Sequence, residues 1–265
     1  MAMGYNCLAQ GLPLEAAMSG HSKWHNIRIK KQKVDQVRGK LFSRLSREIT
    51  VAAKEGGGNP EGNARLRTAI ERGREAGMPN DNIQRAIQRG TGEGGTISLE
   101  TITYEGYAPG GVAVLVEAVT DNRNRTAPEI RAIFARHGGR FGEAGSVAWM
   151  FDKKGEILVD KTALSEDDLM LAALEAGAED IRSGEEAYEI ITAPEDFLRV
   201  KQALVERGIP VGSADVTMMP RSTVRLEGKD AKQVLQLMEE LEDHDDVQRA
   251  YANFDIPEEI LQQVG

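Results

Sequence analysis

Cysteine is almost absent. Cys7 is the single one in 265 residues, so the chain can close no internal disulfide and can build no zinc site from paired cysteines. Aromatic residues are also scarce, at 5% beside 40% hydrophobic and 28% charged residues, a balance that fits globular domains rather than a disordered or membrane-embedded chain. No stretch approaches the roughly 18 uninterrupted apolar residues that a bilayer span requires. Residues 1–17 contain one Glu and no Lys or Arg, so they lack the positive start of a signal peptide and the arginines of a transit peptide. With a second methionine, Met18, opening MSGHSKWHN, they read as an extension: an added leader or a start placed too far upstream. A reducing, cytoplasmic setting with no membrane partner is the expectation.

Positive charge is scarce over most of the chain and concentrated near one end. The formal net charge is −9, yet residues 18–90 hold 16 Lys or Arg against 7 Asp or Glu, whereas residues 91–265 hold 17 against 34. A concentrated positive region releases condensed counterions as it neutralises phosphates, and an acidic remainder discourages indiscriminate sticking. The run His21–Lys40, HSKWHNIRIKKQKVDQVRGK, has little to bury and is expected to order only on binding.

Three helices are predicted next. The first runs from about Lys40 to Glu55, with Leu41, Phe42, Leu45, Ile49 and Ala52 on one stripe and the glycines at 56–58 ending it. The second takes Asn59 as its cap and Pro60 as its first residue, and stops at Gly77 before Pro79. At about 100° per residue, Leu66, Ala69, Ile70 and Gly73 form its apolar arc, with Arg65 and Arg72 at one edge and Arg67 and Arg74 at the other. The third starts at the cap Asn80, buries Ile83 and Ile87, presents Arg85 and Arg89, and stops at Gly90. Residues 91–96, TGEGGT, read as a linker.

Beyond residue 96 strands and helices alternate. Strands are predicted at 101–107, 112–119, 146–151, 156–160, 180–183, 187–192, 214–219, 223–227 and 247–254, and helices at 126–137, 165–176, 194–207 and 229–241. Residues 153–219 follow the strand, helix, strand, strand, helix, strand order of a ferredoxin-like unit. The flanking pieces, 96–152 and 220–256, would then form a second split sheet that the middle domain interrupts. The expected fold is α+β and multidomain: an extension (1–17), a basic all-α three-helix bundle (18–95), a discontinuous α+β domain with split βαβ units (96–152 plus 220–256), and a ferredoxin-like domain (153–219) inserted in it.

No catalytic set of nucleophile, base and orienting group is visible, and no metal or cofactor is expected. His21 and His25 stand four apart without thiols or a following Glu, and His244 lies among acids that lack the order of a calcium loop. The glycines at 139, 142 and 145 follow a helix and precede a strand, the reverse of a dinucleotide fingerprint. YEGYAPGGV lacks the Gly-Lys-Ser/Thr ending of a P-loop; it is either a tight hairpin or a contact loop in which Tyr104 and Tyr107 stack on a base. TDNRNRT places Arg123 and Arg125 at a strand-to-helix junction, where they either meet an anion or stay solvated beside a cap at Asn124 or Thr126. Trp24 either anchors the bundle core or stacks on a base. The residues set for phosphate are His21, Lys23, Arg28, Lys30, Lys31, Lys33, Lys40, Arg44, Arg47, Lys54, Arg65, Arg67, Arg72, Arg74, Arg85 and Arg89. No helix-turn-helix recognition helix is evident, so contact with the backbone rather than base edges is expected.

GHSKWHNIRIKKQKVDQVRGKLFSRLSREI, GMPNDNIQRAI, YEGYAPGGVAVLVEAVTDNRNRT and GSVAWMF, in this order, resemble the hallmarks of the YebC family from Met18 to the C-terminus. The resemblance implies an all-helical N-terminal domain and two mixed domains. It also implies a nucleic-acid partner: bacterial members are described as cytoplasmic DNA-binding transcriptional regulators, and the mitochondrial relative is a translational activator of cytochrome c oxidase subunit I. The expected function is a non-enzymatic, nucleic-acid-binding regulator of gene expression, with a ribosome-associated translation factor contacting ribosomal RNA as the alternative. A monomer is favoured.

Overall fold

The computed structural model describes residues 34–92, 99–162, 165–184 and 187–256, apart from the side chains of 34–38 and 40. The arm residues His21, Lys23, Trp24, Arg28, Lys30, Lys31 and Lys33, the extension 1–17 and most of the 91–96 linker lie outside them.

Three helices form the first layer: α1 (Val34–Gly56), α2 (Ala64–Glu75) and α3 (Asn80–Thr91). Helix α1 starts before the expected Lys40, since no proline or cap interrupts the run from Val34. Its apolar stripe, Phe42, Leu45, Ile49, Ala52 and Ala53, packs against Leu66, Ala69 and Ile70 of α2 and Ile83, Ala86 and Ile87 of α3. The start of α2 differs from expectation. Asn63, not Asn59, is the cap: its buried side chain accepts the Leu66 N–H at 3.0 Å and donates to the carbonyls of Ala52 at 2.8 Å and Gly57 at 2.9 Å. One amide thus closes the end of α1 and opens α2, which Asn59, spent on the Glu61 N–H in the preceding turn, cannot do. Gly90 does not stop α3. A Cβ there would lie 2.4 Å from the Thr50 carbonyl oxygen, so this glycine lets α1 and α3 approach, and Gly92, at φ 88°, ends the helix.

A four-stranded antiparallel sheet follows in the order β3-β1-β2-β9, from β1 (Glu100–Ala108), β2 (Val112–Thr120), β3 (Arg140–Phe141) and β9 (Val247–Ala252). Helices α4 (Arg123–Arg136) and α7 (Gly228–Asp243) cover one face. There Val112, Val114, Val116, Ala250 and Ala252 meet Ile130, Phe134, Val234, Leu235, Met238 and Leu241. Strands β2 and β3, joined by α4, make a split βαβ unit around β1. The predicted strand 223–227 shrinks to β8 (Val224–Arg225), which pairs in parallel with β10 (Phe254–Asp255). The predicted strand 146–151 is absent. Residues 148–150 form a 3-10 turn because the Glu105 carboxylate takes the backbone N–H groups that a strand would offer to a neighbour.

Lys153–Thr217 is a compact unit of its own. It comprises β4 (Phe151–Asp160), α5 (Glu166–Ala176), β5 (Asp180–Ser183), β6 (Ala187–Thr192), α6 (Phe197–Glu206) and β7 (Val211–Pro220), with sheet order β5-β6-β4-β7, the ferredoxin-like arrangement. Ile157, Val159, Tyr188 and Ile190 face Leu169, Ala173, Val200 and Leu204 of its two helices. On the opposite sheet face Glu189 is wholly buried, next to the carboxyl group of Glu156. Burial first, then the hydrogen bond and charge of neighbouring Glu156, push its pKa up to about 9. It is protonated at neutral pH, whereas in the unfolded chain it ionises near 4.5. The fold therefore loses stability as pH rises between those two values. Glu189→Gln should abolish this loss and stabilise the protein at pH 8 by on the order of 1 kcal/mol or more. Thermal unfolding from pH 5 to 9 measures it, and parallel curves for the two proteins would mean that Glu189 is ionised in the fold.

Candidate nucleic-acid interface

The bundle arginines divide into two groups. Arg47 leaves α1 to bind the Asp245 carbonyl and lies 3.3 Å from the Asp246 carboxylate. Arg72 pairs with Glu48 at 2.7 Å, and burial together with the charge of Arg249 on β9 lowers its pKa. Both are half-buried, so the expectation that they face phosphate is corrected: Arg47 joins the bundle to the sheet, and Arg72 is held by Glu48 within the bundle, beside Arg249. On α2 Arg65, though exposed, is neutralised by a surface pair with Glu55 of α1. Arg89 donates to Ser46 and Arg44 is half-buried. The other edge of α2 is open. Arg67 rests only on the carbonyls of Pro60 and Glu61, at 3.2 Å each, and Arg74 is exposed with no ion pair among the described residues. Arg85 folds back on Asp81 and Asn82, and exposed Lys54 donates to the Leu99 carbonyl at 3.0 Å. Lys40 lies on α1. Residues 34–92 carry 11 Lys or Arg and 7 Asp or Glu, whereas residues 18–33 carry 5 Lys or Arg and no acid. The uncompensated charge therefore lies in the arm and along the outer edge of α2.

Asp246 explains why TDNRNRT has its sequence. Its buried carboxylate accepts from the hydroxyls of Thr126 at 2.7 Å and Thr120 at 3.1 Å and from the Arg125 guanidinium at 2.6 Å, with Arg47 beside it. Asn122, not Asn124 or Thr126, caps α4 by accepting the Arg125 N–H at 3.2 Å, so the helix starts at Arg123 instead of Thr126. Burial acts to raise the Asp246 pKa, but the hydrogen bonds from Thr126 and Arg125 and the charges of Arg125 and Arg47 outweigh it and hold the carboxyl below its ordinary value. Arg125 is thus part of an internal clasp, contrary to its expected role as an anion contact, while Arg123 stays exposed on the first turn. His244 supports the same node. Its Nδ1 accepts the Asp246 N–H at 3.1 Å, so a neutral ring carries its proton on Nε2, which lies 3.1 Å from Glu129.

The tyrosines are corrected too. Tyr104 lies on β1 facing the helices, 6% exposed with its ring 5.8 Å from Phe141, and cannot stack on a base. Tyr107 donates its hydroxyl to the Ser146 carbonyl at 3.0 Å. It steadies a loop that sequence reading missed. Glu105, buried between these tyrosines on the other sheet face, accepts N–H groups from Gly145 at 2.6 Å, Val147 at 2.6 Å and Ala148 at 2.8 Å. Burial would raise its pKa, but these three bonds lower it. The loop they hold presents Trp149 at 63% exposure. An acid in the middle of a predicted strand was the available signal: such a residue is tolerated in a core only when donors surround it.

Asp246→Asn should destabilise the protein by about 3 kcal/mol, the low end of the cost of breaking a buried pair, because both guanidiniums remain partly in water. A carboxyl with a depressed folded pKa contributes above its unfolded pKa and loses that contribution as pH falls through the folded value. The gap between wild type and variant in urea unfolding should therefore close in acid; a gap that persists there would mean that the charge is not what stabilises.

Among the described residues no three His, Cys, Asp or Glu side chains gather where they could hold a metal ion, and no helix is long and apolar enough to cross a membrane. Residues 22–93 match the TACO1/YebC protein N-terminal domain, and residues 99–254 match the TACO1/YebC second and third domain. A probable transcriptional regulatory protein of Dictyoglomus turgidum is 58% identical over 249 residues, covering 94% of this chain and 100% of its own length. One from Natranaerobius thermophilus is 57% identical over 248 residues, covering 92% of this chain and 99% of its own. The crystal structure of a conserved hypothetical protein from Aquifex aeolicus superposes with a TM-score of 0.79 at 52% identity, covering 87% of this chain and 95% of that one. The chain belongs to the TACO1/YebC family.

Proposed function

We propose that the protein is a regulator of gene expression that grips a nucleic-acid backbone through its N-terminal arm and the outer edge of α2, without catalysing a reaction. The observation that carries this reading is the uncompensated positive charge of residues 18–33, continued by Arg67 and Arg74, on a chain that is otherwise acidic. An acidic body repels a polyanion everywhere except at that region, so the contact is steered to one place. The name carried by relatives, probable transcriptional regulatory protein, supports the regulatory role.

Backbone contact is favoured over base reading. Helix α3 opens with Asn80, Asp81 and Asn82, residue types that can read base edges, but α2 and α3 barely touch each other and each packs on α1, unlike the mutually packed pair of a helix-turn-helix. Arg85, which could read guanine, is turned back onto Asn82 at 2.8 Å. Duplex DNA is the first reading. Ribosomal RNA is the second, and exposed Trp149 favours it because only unpaired bases offer a free ring face.

Replacing Lys30, Lys31 and Lys33 by Ala should flatten the dependence of log K on log salt by up to about 3, and Arg67→Ala with Arg74→Ala by up to about 2 with the melting temperature unchanged. Binding of each variant to promoter duplex, single-stranded RNA and purified ribosomes across a salt series provides the test. Unaltered slopes would show these cations to be solvated faces. Ribosome binding that survives salt at which duplex binding vanishes would select the second reading over the first.

A further inference from the structure

Trp149 is held away from the core by an unusually well-tied support. Glu105 accepts three loop N–H groups, those of Gly145, Val147 and Ala148, Gly145 makes the turn at φ 86°, and the Tyr107 hydroxyl and the Trp149 indole N–H, at 3.0 and 3.1 Å, both donate to the Ser146 carbonyl. Beneath it Val147 and Phe151 pack on Leu115 and Tyr251, and the Arg221 N–H holds the Met150 carbonyl at 2.9 Å. A large aromatic left in water gains nothing for the fold, and this one has its only donor already satisfied within the loop. What it offers a partner is a flat ring face on a rigid mount.

The surroundings indicate the partner. The loop covers the sheet face that also carries Arg249 and Tyr251, the residues against which Arg72 and Glu48 of the bundle are set. The ring and the basic bundle thus share one side of the molecule. Arg140 points to the same sheet face, since it is the cross-strand partner of Tyr107; it is exposed and makes no ion pair among the described residues. A ring face and a guanidinium without an ion pair among the described residues, both on this side of the sheet, match the chemistry of a single-stranded nucleotide, one part stacking on the base and the other neutralising phosphate.

We infer that Trp149, assisted by Arg140, is a stacking site for an unpaired nucleobase of the strand whose backbone the basic region holds. This inference rests on the nucleic-acid reading above. It adds to that reading a preference for single-stranded segments, because a paired base has no free face to give.

The full chain should be tested against a short unstructured RNA, a DNA of the same sequence and a blunt RNA duplex. Fluorescence anisotropy should show Trp149→Ala weakening single-strand binding about five- to a hundred-fold with duplex binding unchanged, and Trp149→Phe restoring most of the loss. Arg140→Ala should weaken binding and lower the salt slope by about 1. The sequence has two tryptophans, so Trp24→Phe leaves Trp149 as the only reporter, and its emission should be quenched at saturating RNA. Native-like single-strand affinity in Trp149→Ala, or unquenched emission in the bound complex, would overturn the stacking site while leaving backbone binding intact. Failure of the native chain to bind any of the three probes would overturn both.

Discussion

A carboxylate with almost no access to water must find its donors inside the protein, and Asp246 finds them on three elements at once. Thr120 ends β2, Thr126 and Arg125 open α4, and Arg47 comes from α1. Since β9 begins immediately after Asp246, this one group fixes the start of a strand, the start of a helix and the docking of the bundle. Glu48 and Arg72 meet Arg249 and Tyr251 at a second polar contact on the same strand. The bundle is therefore attached to the sheet largely by ionised and hydrogen-bonded groups, which set a defined orientation even where they add little net stability.

This attachment changes what the basic residues are for. A count of Lys and Arg treats every cation alike, but inside a folded protein a guanidinium already bonded to Asp246 or Glu48 has little left to offer a phosphate. Removing those from consideration leaves a smaller positive surface that includes the arm, the Arg67 and Arg74 edge, and Arg140 on the sheet face that carries the Trp149 loop. The same sheet thus has one face sealed by α4 and α7 and another given to polar docking and an exposed ring.

The fold class was legible in the sequence because it rests on periodicity: apolar stripes at helical spacing around Ile49, Leu66 and Ile83, and alternating strands such as Ile157, Val159 and Ile190. Where the reading failed, a side chain from far along the chain intervened. Asn63 displaced Asn59 as a cap because it could also bond the end of α1, Gly90 proved to be a packing contact with Thr50, and the strand expected at 146–151 was bent into a loop by Glu105, some forty residues earlier. The candidate interface was legible as a charge asymmetry but not residue by residue. Nothing local to Arg47 announces its bond to the Asp245 carbonyl 198 positions away, nothing local to Arg125 announces Asp246, and nothing local to Tyr104 announces its burial.

Contact mapping tests the central claim most directly: ultraviolet crosslinking of the full chain to cellular nucleic acid, followed by mass spectrometry of the crosslinked peptides. The account predicts crosslinks within residues 18–33, on the Arg67 and Arg74 edge of α2 and at Trp149, with none on peptides from Lys153–Thr217. Crosslinks concentrated in that acidic unit, or none at all from a chain that is fully folded, would contradict it.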